Sequence, residues 1–373
     1  MIPFVNLRAQ YKAYKEEIDA AIFSVLESGT LIGGPEVQNF ENILCKSTGA
    51  SEAISCASGT SALTLALAAL GLEPGDEVIV PDFTFVATAD AVALLGGIPR
   101  FADIGLDFLI SPSSVEERIS SKTVGIIAVD LFGQCANYKA LQTIAQKHGL
   151  WILEDAAQSI GATQNGKGAG SLSTIAATSF YPTKPFGAYG DAGAILTSDK
   201  ALAAQVRMYA SHGRNPEDHY QTIGTNSRLD ALQAAILNVK HAHFAEELLR
   251  RQKNAATYSA LFSAIPGFEI PKISEGNTSI YAQYAVTCKD REAVLPKLSK
   301  ANVPTRIYYN SPLSAEPCFA RFEKTKEDAR SNTNAYRLSK EVFCLPVDAF
   351  TDVQALAQTI KNDLLPQNRP TPP

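Results

Sequence analysis

Through the first two-thirds of the chain, short apolar runs alternate with stretches of helical spacing, and this alternation restricts the fold more than any other feature. Ala53-Ile54-Ser55-Cys56 reads as a strand and Ser61 to Leu70 as a helix. Glu77-Val78-Ile79-Val80 reads as a strand, with a helix after it from about Thr84 to Leu95. Arg100-Phe101-Ala102-Asp103 is a further strand, and Val124 to Val129 is apolar and β-branched. Tyr138 to His148 has helical spacing with Gly149 as its stop, and Trp151-Ile152-Leu153 leads into Glu154-Asp155. Strands and helices alternating at this interval predict an α/β domain whose mostly parallel sheet is covered on both faces.

The pattern then changes. Thr174 to Phe180 and Ala194 to Thr197 read as strands joined through a glycine-bearing turn, not a long helix, and Leu229 to Arg251 as one long connecting helix. Beyond Tyr258, apolar strands such as Tyr284-Ala285-Val286-Thr287 mix with helices. We therefore expect a large α/β domain over residues 1–245 and a smaller α+β domain over 246–373, ending in a proline-rich, frayed tail from Pro366.

Composition excludes several classes of partner. The formal net charge is -5 and no Lys/Arg run exceeds Arg250-Arg251, so the basic face that nucleic acid requires is missing. The most apolar stretch, Ala62 to Leu72, is too short to span a bilayer, and the N-terminus does not read as a signal peptide. The six cysteines (Cys45, Cys56, Cys135, Cys288, Cys318 and Cys344) are scattered without a Cys-x-x-Cys pair, as in a reducing compartment. A cytoplasmic location without a membrane partner is the expectation. His241 and His243, two apart on a helix, do not share a face, and no metal site is expected.

Three local features could carry chemistry. Asp155 falls at the carboxyl end of an apolar strand, where ligands sit in open parallel sheets; a turn-capping aspartate is the plainer reading. Lys184, in Ser179-Phe180-Tyr181-Pro182-Thr183-Lys184, follows an apolar strand and precedes Pro185-Phe186-Gly187. Desolvation there would lower its pKa and make a nucleophile, although a lysine in a surface loop is the simple alternative. Ser58-Gly59-Thr60-Ser61 lies where a strand ends and a helix starts, which makes either an anion site or an ordinary N-cap. Together, a phosphate cradle, a strand-end carboxylate and a lysine after a strand are what pyridoxal 5′-phosphate requires.

With these residues in place, the chain resembles the sugar aminotransferases of the DegT/StrS family, which share the aspartate aminotransferase (fold type I) architecture. The resemblance covers nearly the whole chain. It runs through Gly34-Pro35-Glu36-Val37, Ser58 to Leu63, Pro74-Gly75-Asp76-Glu77-Val78-Ile79, Thr84-Phe85-Val86-Ala87-Thr88, Glu154 to Gln158, Thr183-Lys184 and Asn226-Ser227-Arg228-Leu229-Asp230. Within the family, members acting on UDP-2-acetamido-2-deoxy-3-oxo-glucuronate share Gln134-Cys135, Gln158-Ser159, Lys184-Pro185, Gly190-Asp191 and Ile280-Tyr281-Ala282-Gln283-Tyr284.

The resemblance implies a role for each matching residue. Lys184 would be the Schiff-base lysine, and Asp155 the carboxylate that favours a protonated ring nitrogen. Gln158 would lie near the ring hydroxyl and Phe85 against the ring face, with core filling as the plain alternative for the phenylalanine. Ser58, Gly59, Thr60 and Ser179 would contact the phosphate. Asn226 would reach the phosphate of the neighbouring subunit's cofactor, making the active unit a homodimer, although a turn residue would look the same. Arg228 would recognise carboxylate or phosphate. Tyr308-Tyr309 departs from the His-Tyr found in many relatives at a loop that contacts the sugar; tyrosine can bond there but carries no charge near neutral pH.

The implied reaction is a ping-pong transamination. An amino donor, L-glutamate by resemblance, leaves as 2-oxoglutarate, and pyridoxamine 5′-phosphate then aminates C3 of a UDP-2-acetamido-3-keto sugar for cell-surface polysaccharide or lipopolysaccharide. UDP-3-keto-N-acetylglucosamine or a dTDP-3-keto or 4-keto hexose is the alternative substrate, and a non-catalytic cofactor-binding sensor is the distant alternative.

Overall fold

The computed structural model describes residues 2–322 and 333–364; the expected frayed tail from Pro366 lies outside them. Strands and helices follow each other as the apolar pattern requires. Helices α1 (Leu7–Ala13), α2 (Lys15–Ser28) and α3 (Gly34–Thr48) lead into β1 (Glu52–Cys56), α4 (Gly59–Ala69), β2 (Glu77–Pro81), α5 (Ala87–Leu94) and β3 (Ile98–Ala102). Next come α6 (Pro112–Arg118), β4 (Thr123–Val129), α7 (Tyr138–His148) and β5 (Trp151–Asp155), with Gly149 capping α7 in the left-handed conformation at φ 68°. A small hairpin, β6 (Thr163–Gln164) with β7 (Lys167–Gly168), precedes β8 (Ile175–Ser179), β9 (Gly193–Thr197) and α8 (Lys200–Tyr209).

The main sheet has seven strands in the order β1-β9-β8-β5-β4-β2-β3. The pairs β2–β3, β2–β4, β4–β5 and β5–β8 are parallel, whereas β9 runs antiparallel to both β1 and β8. Strands β1, β2, β4, β5 and β8 therefore all end at one edge of the sheet, and ligands bind at such an edge. Each interior strand is buried on both faces: Ile127, Leu153 and Ile175 pack with α4 and α5, while Ile126, Ala128 and Ile152 pack with α7.

The helix expected over Leu229 to Arg251 is one 33-residue helix, α9 (Ala231–Ser263). Its first half buries Ala234, Leu237 and Phe244 against the large sheet. Its second half buries Ala255, Tyr258 and Phe262 in a separate core with the three-stranded sheet β10 (Phe268–Glu269), β11 (Tyr284–Cys288) and β12 (Val342–Leu345). Helices α10 (Arg291–Lys300), α11 (Asn334–Glu341) and α12 (Val353–Leu364) belong to this C-terminal part. Among the described residues no helix is long and apolar enough to cross a membrane.

Candidate active site

The α4 N-terminus is built by Ser58, whose Oγ accepts from Ser61 N–H at 3.1 Å. The N–H groups of Gly59 and Thr60 have no partner among the described residues, and both stand at the positive end of the helix. The end of β8 presses against them: a Cβ at Gly59 would lie 2.6 Å from Ser179 Cβ, so only glycine lets the two elements meet. A Cβ at Gly193, opposite Ser179 in the ladder, would lie 2.4 Å from the Ser58 carbonyl. Two free N–H groups and the hydroxyls of Ser58, Thr60 and Ser179 form a concave donor set suited to a phosphate.

Asp155 closes β5 and is buried. Its Oδ2 accepts from Thr88 Oγ1 at 2.9 Å and its Oδ1 from Ala157 N–H at 3.1 Å. Burial pushes its pKa up; the Thr88 hydroxyl, the Ala157 N–H and the charge of Lys184 pull against that rise. Lys184 stands in the loop after β8, its backbone N–H bonded to Tyr181 O at 2.8 Å. Desolvation lowers the pKa of its amine, and the Asp155 charge opposes the shift. The half-buried lysine and the buried acid therefore sense each other, which the sequence alone left open.

Gln158 is buried, and its Oε1 accepts from Phe132 N–H at 2.9 Å. Tyr309 lies near it, and the Tyr309 hydroxyl pKa is raised chiefly by burial and then by the Asp155 charge, with Gln158 pulling the other way. Phe85 is 54% exposed although its surroundings are apolar; its ring faces Tyr309 at 6.3 Å. An aromatic open to solvent, three residues before the Thr88 that binds Asp155, serves a ligand's flat face better than the core. The Tyr308–Tyr309 loop is held in place through Leu313 N–H to Asp82 O at 2.7 Å and Ser314 N–H to Asp82 Oδ1 at 2.7 Å. Strand-end loops of the large sheet and a loop of the C-terminal part thus line one site.

Asn226 and Arg228 stand apart from this group. Both are exposed, and Arg228 Nε donates to Asn226 Oδ1 at 3.0 Å. Nearby, Leu31 and Ile32 are exposed, with Leu31 O accepting from Ala231 N–H at 2.9 Å and Ile32 bridged to Asp230. Thr88 and the approach of Tyr309 to Gln158 were not foreseen as site features. Thr88 has a local signal, a hydroxyl in the first turn of the helix after β2, but only the packing shows which strand end it meets. Among the described residues no group of three His, Cys, Asp or Glu is placed to hold a metal.

A half-buried amine, a buried carboxylate, a half-open aromatic and a phosphate-shaped donor set at one sheet edge can hold a flat ring bearing an aldehyde, a basic nitrogen and a phosphate. Residues 12–361 match the DegT/DnrJ/EryC1/StrS aminotransferase family. The chain is 44% identical to the UDP-2-acetamido-2-deoxy-3-oxo-D-glucuronate aminotransferase of Pseudomonas aeruginosa, over 95% of this chain and 98% of that one. It is 39% identical to the pleiotropic regulatory protein of Geobacillus stearothermophilus, over 93% of each. Among solved structures, S. venezuelae DesV in complex with a ketimine intermediate superposes with a TM-score of 0.93 at 34% identity, covering 97% of this chain and 98% of that one. Bacillus subtilis NtdA with bound cofactor PMP gives a TM-score of 0.86 at 29% identity, covering 97% and 84%.

Proposed function

The chain belongs to the DegT/DnrJ/EryC1/StrS aminotransferase family, and on that premise we propose that it aminates the C3 ketone of a UDP-2-acetamido-2-deoxy-3-keto sugar, with the 3-oxo-glucuronate as substrate and L-glutamate as donor. It is a sugar aminotransferase that depends on pyridoxal 5′-phosphate. The observation that carries the substrate-level reading is the meeting of Lys184, Asp155 and the Ser58-Gly59-Thr60 helix start at one sheet edge, in a chain 44% identical to an enzyme of that name.

The residues fit the cofactor, since the missing Cβ at Gly59 lets the Ser179 strand end close against the helix start and bring its hydroxyl beside the unpartnered N–H groups of Gly59 and Thr60. When bound, the cofactor supplies an electron sink for a breaking C–H bond and carries the amino group between donor and acceptor. Ser58, Gly59, Thr60 and Ser179 hold its phosphate in this reading. Asp155, whose ionised form Thr88 and Ala157 N–H favour against the opposing effect of burial, would hold a proton on the ring nitrogen, and Gln158 would orient the ring from its hydroxyl side. Phe85 covers one face and excludes water. Lys184 Nζ is the attachment point and, when free, moves the proton; its lowered pKa keeps a larger share of it in the unprotonated form that this task needs.

Asn226 and Arg228 complete the site of a neighbouring copy in a homodimer. The reading is supported by their exposure and by the apolar Leu31 and Ile32 exposed beside them. Arg228 bonds the anionic part of the substrate and Tyr308 and Tyr309 face the sugar. We assign the division between cofactor domain and C-terminal domain to about residue 245 within α9, a cytoplasmic location, and a place in cell-surface polysaccharide or lipopolysaccharide synthesis. A second reading, a neutral UDP-3-keto-N-acetylglucosamine, draws on Tyr308, which offers a hydroxyl but no charge near neutral pH.

The purified protein should be yellow, and borohydride should fix the cofactor to Lys184. Lys184→Ala should lose at least about a thousandfold in kcat/KM; a colourless Lys184→Ala that still transaminates at the parent rate ends the assignment. Deamination of UDP-3-amino sugars driven by 2-oxoglutarate separates the substrates, and a strong preference for the neutral sugar rejects the uronate. A protein that binds the cofactor and turns over neither UDP sugar leaves a dTDP-3-keto or 4-keto hexose as the substrate to test.

A further inference from the structure

Behind Asp155, on the opposite face of the sheet, two more carboxyls are buried without any exposure, Asp130 and Glu154. Strand geometry brings them together. Ala128 on β4 pairs with Glu154 on β5, so Asp130, two residues on, continues the same face, whereas Val129 and Asp155 point the other way. On neighbouring strands and the same face of the sheet, the two carboxyls are close enough for Asp130 to push the pKa of Glu154 up. Two carboxylates side by side and out of water repel each other, and a proton between them removes the repulsion.

Every other group around the pair donates to it. Asp130 Oδ1 accepts from Ala136 N–H at 2.8 Å and from Tyr138 OH at 3.0 Å, and Oδ2 from Ser159 Oγ at 3.0 Å. Glu154 accepts from the N–H groups of Gly170 and Leu172. The ionisable groups facing the pair are Cys135 and Tyr138, from the loop before α7 and its first residue, and Asp155 through the sheet; neither carboxyl has an ion-pair partner among the described residues. Without a cation to balance it, a second negative charge here would be strongly opposed.

The bonds also lead to the site. Asp130 joins the 131–136 loop, through Ala136, to the 156–159 turn, through Ser159, and Asp130 N–H donates to Asp155 O at 3.1 Å. The same loop and turn are tied again where Phe132 N–H donates to Gln158 Oε1. We propose that Asp130 and Glu154 share a single proton, and that this shared proton locks loop 131–136 to turn 156–159, making Asp130 a positioning residue for Gln158. That Gln158 in turn orients the cofactor rests on the function proposed above; the shared proton does not.

Burial raises the pKa of both acids, Asp130 to about 7, so the stability their proton confers is complete below the ordinary carboxyl range and is lost as pH rises from there through the folded value. Three proteins test the proposal in the cofactor-free state: the parent, Asp130→Asn and Glu154→Gln. Each amide keeps a hydrogen between positions 130 and 154 without a titrating proton. Infrared spectra at pH 7 should show a buried un-ionised carboxyl band in the parent that both variants lack. The melting temperature should fall in the parent as pH rises from the ordinary carboxyl range through the folded value, and stay level over the same span in Asp130→Asn. Cofactor Kd then tests the positioning step: Asp130→Asn should bind within about threefold of the parent at pH 7, and Asp130→Ala about tenfold more weakly or worse. Absence of the band in the parent, or an unchanged fall with pH in Asp130→Asn, overturns the shared proton. Normal cofactor affinity in a folded Asp130→Ala overturns the positioning role. A parent that shows the band and the fall but binds no cofactor would sink the proposed function and leave the shared proton standing.

Discussion

Glu154 and Asp155 are neighbours in the chain, equally desolvated at one strand end, yet they face different worlds. Asp155 meets a hydroxyl from α5 and the charge of Lys184, both of which favour its ionised form against burial. Glu154 meets another carboxyl and two backbone N–H groups, with no cation. Burial pushes both pKa values up, and the partners decide what each acid can do. One face of the sheet keeps a carboxylate available for a ligand, and the other uses a carboxyl as internal scaffolding. The lesson is that alternation along a strand, not proximity in sequence, separates a chemical acid from a structural one.

The contrast can be broken most forcefully by alanine at each position. Asp155→Ala should reduce kcat/KM at least about a hundredfold while the fold survives, because its contacts are few and at the sheet edge. Glu154→Ala should instead cost about 2–5 kcal/mol of stability in urea unfolding, since Gly170 and Leu172 lose their acceptor. A stable Glu154→Ala as inactive as Asp155→Ala would erase the distinction.

A smaller change tests the donor cradle on the ligand side. Gly59→Ala would place a methyl 2.6 Å from Ser179 Cβ, and the resulting shift should raise the cofactor Kd about tenfold with little change in kcat at saturation. The smallest effect should come from Thr88→Val, which removes a donor to Asp155. With that donor gone the carboxyl's pKa rises further, so the acid limb of the kcat/KM profile should move to higher pH, and activity at neutral pH should fall by less than about tenfold. An acid limb that stays in place would show that Asp155 does not govern it.

Much of this layout was legible in the residues. Short apolar runs marked β2, β4 and β5 within a residue or two, and Gly149 marked the end of α7. The strand end at Asp155, the helix start at Ser58 and the lysine after β8 could each be placed because each follows a local rule about where an apolar run stops. Less was legible where the decisive contact is distant. The helix expected from Thr84 begins at Ala87, which frees Phe85 to stand open beside Tyr309, more than two hundred residues along the chain. The reach of α9 to Ser263 was hidden because its apolar residues change partners, from the large sheet to the C-terminal core, partway along.

The order of elements, the acid and the amine, and the glycine that lets a helix meet a strand were therefore written in local patterns, where hydrophobic period and backbone sterics act over a few residues. Only the tertiary structure decided that Thr88 and not another hydroxyl bonds Asp155, that Tyr309 meets Gln158, and that Asp130 lies against Glu154. Those pairings depend on strand register and on which face a side chain takes. Both are set by the packing of the whole sheet and cannot be computed from any one stretch of it.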